Sequence, residues 1–270
     1  MTAIDSGIDA LAPVDGLAVS LTDGVLSVTI DRPDSLNSLT LPVFEGLADA
    51  MEQAANDPRV KVVRLGGSGR GLCSGAGMSA DDVAGAGPGD ELILAANRVV
   101  RAITTLPRPV VAVIQGPAAG VGVSLALACD LVLASDTAFF MLAFTKIGLM
   151  PDGGASALIA TAIGRIGAMR MALLAERLSA ADALACGLIS AVYPAGDFEA
   201  EVDKVLSGLL HGPAVAFAKT KQAINAATLP ELEPALQREL EGQSMLLKSH
   251  DFREGARAFQ DRRTPAFTDS

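Results

Sequence analysis

Asp152 stands in "GLMPDGGAS", residues 148–156, as the one carboxylate among small and apolar residues. A lone acid in that company can do two things. It can accept a proton, because Phe144, Leu149 and Met150 would desolvate its charge and make it a stronger base. It can also cap a helix. Gly153, Gly154, Ala155 and Ser156 read as a helix start, where an N-cap aspartate contributes about 1 kcal/mol and the N–H groups it meets lower its basicity. The residues alone leave both readings open.

Two glycine-rich segments offer a second kind of chemistry. They are "GLCSGAGMSA", residues 71–80, and "QGPAAGVGVSLALACD", residues 115–130. Each follows a predicted strand and combines residues without bulk with a predicted helix start, which leaves backbone N–H groups free and lets a ligand approach. If the two converge on one carbonyl oxygen they form an oxyanion hole, in which one donor contributes about 3–4 kcal/mol at the transition state. The competing reading is tight helix–strand packing. "GSGRG", residues 67–71, lacks the GxGxxG spacing, no P-loop GK[ST] is present, and Ser124 is not followed by the glycine of a nucleophile elbow.

The remaining composition excludes more than it offers. His211 and His250 are the two histidines, both in polar surroundings in the last quarter of the chain, which leaves little material for a His-based triad or metal site. Cys73, Cys129 and Cys186 form no CxxC pair and read as reduced thiols of a cytoplasmic protein. A net charge of −10 with no Lys/Arg run argues against nucleic acid as a partner. The acidic N-terminal segment does not read as a signal peptide, and none is expected there. The most membrane-like window, residues 110–135, is broken by Gln115, Pro117 and Asp130, so a membrane partner is not expected.

The elements that must hold these residues alternate. Asp23-Gly24 between two alternating runs predicts a hairpin. Thr40 is placed to cap a helix with Pro42 in its first turn. Strands are predicted at "RVKVVRLGG", "VVAVIQG", "DLVLAS", "AFFMLA" and "GLISAVYP", with helices at about 91–106, at about 119–128 and past Asp152. This is an α/β chain. The pattern divides it into a flexible tail at 1–14, an α/β core at 15–196 and a helical region at 197–270.

The two glycine segments, in this order and spacing, resemble the enoyl-CoA hydratase/isomerase (crotonase) superfamily. "IDRPDSLNSLT", "LCSGAGMSA", "VIQGPAAGVGVSLALACDLVLAS", "RLSAADALACGLISAVYP" and "DFREGARAFQDRRTPAF" are similar to five of its segments in register. The resemblance implies a crotonase-like fold of repeated β-β-α turns with a C-terminal helical trimerisation region. It also implies a homotrimer or dimer of trimers, an acyl-CoA thioester as ligand, and no cofactor or metal beyond the CoA of the substrate. Carried over by position, the oxyanion donors are the backbone N–H groups of Ala76 and Val121; valine replaces the usual glycine there. Substrate and CoA contacts fall on Leu36, Ala76, Gly77, Met78, Ser79, Gly120, Phe144, Phe259 and Arg262. The acyl pocket falls near Asp81 and Asp82, within residues 81–89.

Hydratases of the superfamily hold water between two glutamates. Ser124 and Phe144 occupy those positions here, and each lost acid/base group removes a factor of about 10²–10⁴. Asp152 occupies the position of the base in the superfamily's isomerases. The expected function is therefore an enoyl-CoA double-bond isomerase with one aspartate as proton shuttle. The alternatives are a hydratase or lyase using other acids, and a non-catalytic acyl-CoA-binding scaffold.

Overall fold

The computed structural model describes residues 7–77 and 90–268. Six strands form the main sheet: β1 (Leu17–Thr22), β2 (Val25–Ile30), β3 (Val62–Gly67), β4 (Val110–Ile114), β6 (Leu131–Ser135) and β9 (Ala191–Tyr193). They lie in the order β1-β2-β3-β4-β6-β9. The β1–β2 hairpin is antiparallel and turns at Asp23 and Gly24, both at positive φ, as an Asp-Gly turn requires. The other pairings are parallel. Val110, Ala112 and Ile114 of β4 face the large core, while Val111 and Val113 face a smaller one on the other side. Both faces of the central strands are thus buried, which explains their unbroken apolar runs.

The repeat in the fold is a strand of the main sheet, a short strand of a second sheet, then a helix. β4 leads into β5 (Pro117–Ala119) and then into α3 (Val121–Ala128). β6 leads into β7 (Phe139–Met141), a 3-10 turn (Ala143–Ile147) and α4 (Ala155–Leu174). β5, β7 and β8 (Leu178–Ser179) form the second sheet. One turn earlier, Cys73 bridges to Ala118 in parallel, so the segment after β3 adds to the same sheet. The two glycine segments therefore occupy equivalent places in successive turns, which puts them side by side.

Helices α1 (Leu41–Asn56) and α2 (Glu91–Thr105) cover the large core. Thr40 is the N-cap of α1, but its side chain makes no capping hydrogen bond. α5 (Ala180–Ala185) starts at Ser179, whose hydroxyl accepts the Asp182 N–H. The C-terminal helices are α6 (Phe198–Leu210), α7 (Ala214–Thr228), α8 (Leu232–Leu246) and α9 (His250–Gln260).

Both ends of the described chain make contacts with the core. Residues 7–14 are tied down rather than loose: Ile8 is buried, its N–H reaches Asp57 Oδ2 at 3.2 Å, and Asp9 pairs with Arg59 at 2.7 Å. α6 packs on the sheet. Its Phe198, Val202 and Leu206 build the smaller core with Val62, Val111, Val113 and Leu133 of the sheet. α7 is held by Lys221, whose Nζ donates to Asp130 Oδ2 at 2.8 Å and to the Ile103 carbonyl at 2.7 Å.

The window at 110–135 is β4, β5, α3 and β6, inside the protein. α4 is the described helix long and apolar enough to cross a membrane. It is broken at Gly164 (φ 70, ψ 168), and beyond the break Ile166, Leu173 and Leu174 are more than half exposed.

Candidate active site

A cavity of about 490 Å³ opens between the second sheet and the C-terminal helices. Its wall includes Ala76, Gly77, Gly120, Val121, Phe144, Asp152 and Phe259, so the structure brings together most of the residues singled out from sequence. Leu36 and Arg262 are not in this wall. Leu36 lies in a turn whose neighbour, Ser35, accepts the Ser74 hydroxyl, and Arg262 is exposed beyond the end of α9. Met78, Ser79, Asp81, Asp82 and the rest of residues 81–89 lie outside the described residues.

The backbone half of the site is built by close contact. A Cβ placed on Gly120 would stand 3.4 Å from Gly75 Cα, so the two segments touch at their glycines. Gly120 is the N-cap of α3 at φ 56 and ψ −134, a conformation that disfavours any side chain. Val121 is the first residue of the helix, so its N–H has no partner within the helix. Leu39 bonds to the Gly75 carbonyl and the Gly77 N–H, which passes over the N–H of Ala76. Among the described residues neither N–H, of Ala76 or of Val121, has an acceptor. The Asn37 amide, donating to Ser68 and Gly71 carbonyls at 2.8 Å, and Gln115 Nε2, donating to the Gly67 carbonyl at 2.6 Å, brace the loop before the first segment.

The side-chain half is built differently. Asp152 is partly buried in the cavity wall, and burial pushes its pKa up to about 7 against the opposing hydrogen bond from Gln243, with the Glu239 charge adding to the rise. Phe144 and Leu149 supply apolar wall beside it. Ser124, fully buried in α3, donates its hydroxyl to the Asp152 backbone carbonyl at 2.7 Å. It therefore holds the loop and is not directed at a substrate group. Gly153 and Gly154, at φ 64 and 79, let this loop lie against α3 and α8.

The helix-capping reading of Asp152 is corrected by the structure. The N-cap of α4 is Gly154, and the cap is supplied by Glu239 from α8. Glu239 Oε2 accepts the Gly154 N–H at 2.6 Å, and Oε1 accepts the Ser156 N–H at 2.8 Å and its hydroxyl at 2.5 Å. The sequence offers no local sign of this, because the cap arrives from 85 residues away. Gln243, one helical turn further, was equally invisible. Its Nε2 donates to Asp152 Oδ2 at 2.8 Å.

Other reactive groups stand apart. Cys73 is buried and its thiol is pushed up to about 12 by desolvation, and all three cysteines are free. Among the described residues no three His, Cys, Asp or Glu side chains gather as a metal site would require.

The family model for enoyl-CoA hydratase/isomerase matches residues 20–270. The chain belongs to the enoyl-CoA hydratase/isomerase family. A "probable enoyl-CoA hydratase" of Rhodobacter capsulatus is 40% identical over 92% of this chain and 96% of its own length. The 1,2-epoxyphenylacetyl-CoA isomerase of Escherichia coli is 36% identical, over 91% and 95%. Among solved structures, an enoyl-CoA hydratase from Mycobacterium avium subsp. paratuberculosis superposes with a TM-score of 0.90 at 73% identity, covering 95% of this chain and all of that one. The crotonase-like α/β fold with a C-terminal helical region is thereby shown. Relatives carry both hydratase and isomerase names, so the family fixes the fold and the class of chemistry and leaves the reaction to the site.

Proposed function

We propose that this chain is an enoyl-CoA double-bond isomerase in which Asp152 is the single proton shuttle. The observation that carries the reading is that Asp152 is the one carboxylate in the described cavity wall and is released from helix capping by Glu239. The thioester oxygen accepts from the N–H groups of Ala76 and Val121. Ionised Asp152 takes a proton from carbon next to the double bond, and the electron pair spreads through the dienolate onto that oxygen. The protonated carboxyl then returns the proton two carbons away. No atom is gained or lost, so one acid/base group is enough. A carboxyl that titrates near 7 suits both halves of the cycle at neutral pH.

The hydratase reading is favoured by the names that several relatives bear. It needs a second acid/base group to divide water activation from carbon protonation. Ser124 is committed to the Asp152 carbonyl and Phe144 cannot ionise, so the described wall offers no second carboxylate, and its other ionisable side chain is Lys146. Exposed Ile166, Leu173 and Leu174 on α4 support assembly of copies of the chain, expected as a trimer or dimer of trimers.

The test is incubation with a 3-enoyl-CoA and, separately, a 2-enoyl-CoA in D₂O, with products identified by chromatography and mass spectrometry. The wild type is expected to shift the double bond and take up deuterium. Asp152→Asn is expected to lose a factor of about 10²–10⁴. The base must be ionised, so kcat/KM should climb as pH rises and level off above about 7. A hydrated product formed equally by both proteins would overturn the proposal.

A further inference from the structure

We propose that Gln243, on the C-terminal helix α8, is the positioning residue of Asp152: its amide locks one carboxylate oxygen and leaves the other to carry the proton. The inference rests on the isomerase reading for its activity readout and on geometry for its origin. Gln243 is only 1% exposed, yet its amide lies at the cavity wall. Its Oε1 accepts the Met150 N–H at 3.3 Å, and its Nε2 donates to Asp152 Oδ2 at 2.8 Å. The first contact decides the second. An N–H facing Oε1 fixes which way round the amide lies, so the group facing Asp152 must be the NH₂.

Both anchors belong to one loop. Gln243 grips it at Met150 and Asp152, Ser124 holds the Asp152 carbonyl, and Glu239 holds Gly154 and Ser156. Backbone and carboxyl are thus fixed by separate side chains. Among the described residues Oδ2 has its donor from Gln243 and Oδ1 has none, which distinguishes the two oxygens. A carboxylate free to rotate would present either oxygen at varying angles to the substrate carbon, and a misplacement of about 1 Å can cost 10²-fold in rate.

The charged groups around the carboxyl are few. α8 brings Glu239, whose negative charge opposes ionisation of Asp152. The 3-10 turn brings Lys146, the other charged side chain in the described cavity wall. The wall residues from α1, α2, α3 and α9 carry no charge. A hydrogen bond from Gln243 favours the ionised form, so its removal must make the carboxyl harder to ionise.

The experiment compares wild type, Gln243→Leu and Gln243→Glu by two readouts. One is the pH profile of isomerisation. The other is the carboxyl titration of ¹³C-labelled aspartate by NMR without substrate, with the Asp152 signal identified by its loss in Asp152→Asn. Gln243→Leu is expected to raise the midpoint by about one pH unit in both. It should lower kcat about 10- to 100-fold while KM stays within about threefold. Gln243→Glu, close in shape, covers the case in which the leucine variant does not fold, and should also raise the midpoint because an ionised glutamate cannot donate. In the Asp152→Asn background, Gln243→Leu should have no further effect on residual deuterium exchange. An unchanged midpoint, or an undiminished effect in that background, would overturn the proposal. Should wild type isomerise no enoyl-CoA, the proposed activity fails while the NMR titration still decides the role of Gln243.

Discussion

The two halves of the site hold their chemistry in different ways. The segments around Ala76 and Val121 present backbone N–H groups, aimed by glycine conformation and by the stacking of one β-β-α turn on the next. The loop around Asp152 presents a side chain, aimed by Ser124, Glu239 and Gln243 from two other helices. The first arrangement has almost no titratable parts and resists pH. The second is a set of buried polar contacts in which each partner changes the basicity of the acid. The comparison teaches that the strength of the electrophilic half and the pH response of the basic half can be altered independently.

The sharpest way to break the backbone half is Gly120→Ala. The space exists, since the nearest atoms to a Cβ are 3.4 and 3.9 Å away, but φ 56 with ψ −134 does not suit alanine. The strain should turn the Val121 N–H, with a loss of about 10²–10³ in kcat for thioester isomerisation. The pH midpoint should not move, because no group near Asp152 changes. A shifted midpoint in the rate profile would mean that the halves are coupled.

Glu239→Gln tests the other half more gently. Removing a negative charge that disfavours ionisation should lower the Asp152 midpoint, the opposite direction from Gln243→Leu. The amide also replaces a carboxylate that accepts three hydrogen bonds at the start of α4, so denaturant melts should show a loss of about 1–2 kcal/mol.

The smallest effect is on stability. The Asp152 carboxyl titrates near 7 in the fold, against about 4 in an unfolded chain. Between those values the native state keeps a proton that the unfolded state has released, so native stability falls as pH rises from about 4 to about 7. Asp152→Asn removes that dependence. It should be more stable than wild type at pH 8, with the difference gone at pH 4, in paired thermal melts. A wild-type advantage at pH 8 would show that Asp152 serves the fold more than the reaction.

Much of this was legible from residue order alone. The Asp-Gly hairpin, the buried strands at 62–67 and 110–114, and the helix at 91–105 follow from turn chemistry and apolar patterning, which act over a few residues. β5 and β8, of three and two residues, were not predicted, because strands so short carry no period. Thr40 was read as a cap by residue type, and its hydroxyl is not used.

By resemblance to the superfamily, Ser124 and Phe144 stand where its hydratases carry glutamates. The amino-acid sequence by itself determined the α/β class, the two glycine segments, and the placing of one aspartate after an apolar run. Each depends on local composition or on spacing along the chain. Whether Asp152 caps a helix or faces the cavity was decided only in three dimensions. The answer depends on Glu239 and Gln243, which arrive on α8 more than 80 residues later and take over the helix end and one carboxylate oxygen. A hydrogen bond between distant residues depends on how helices pack, and no period or motif in the chain encodes which partner will be there.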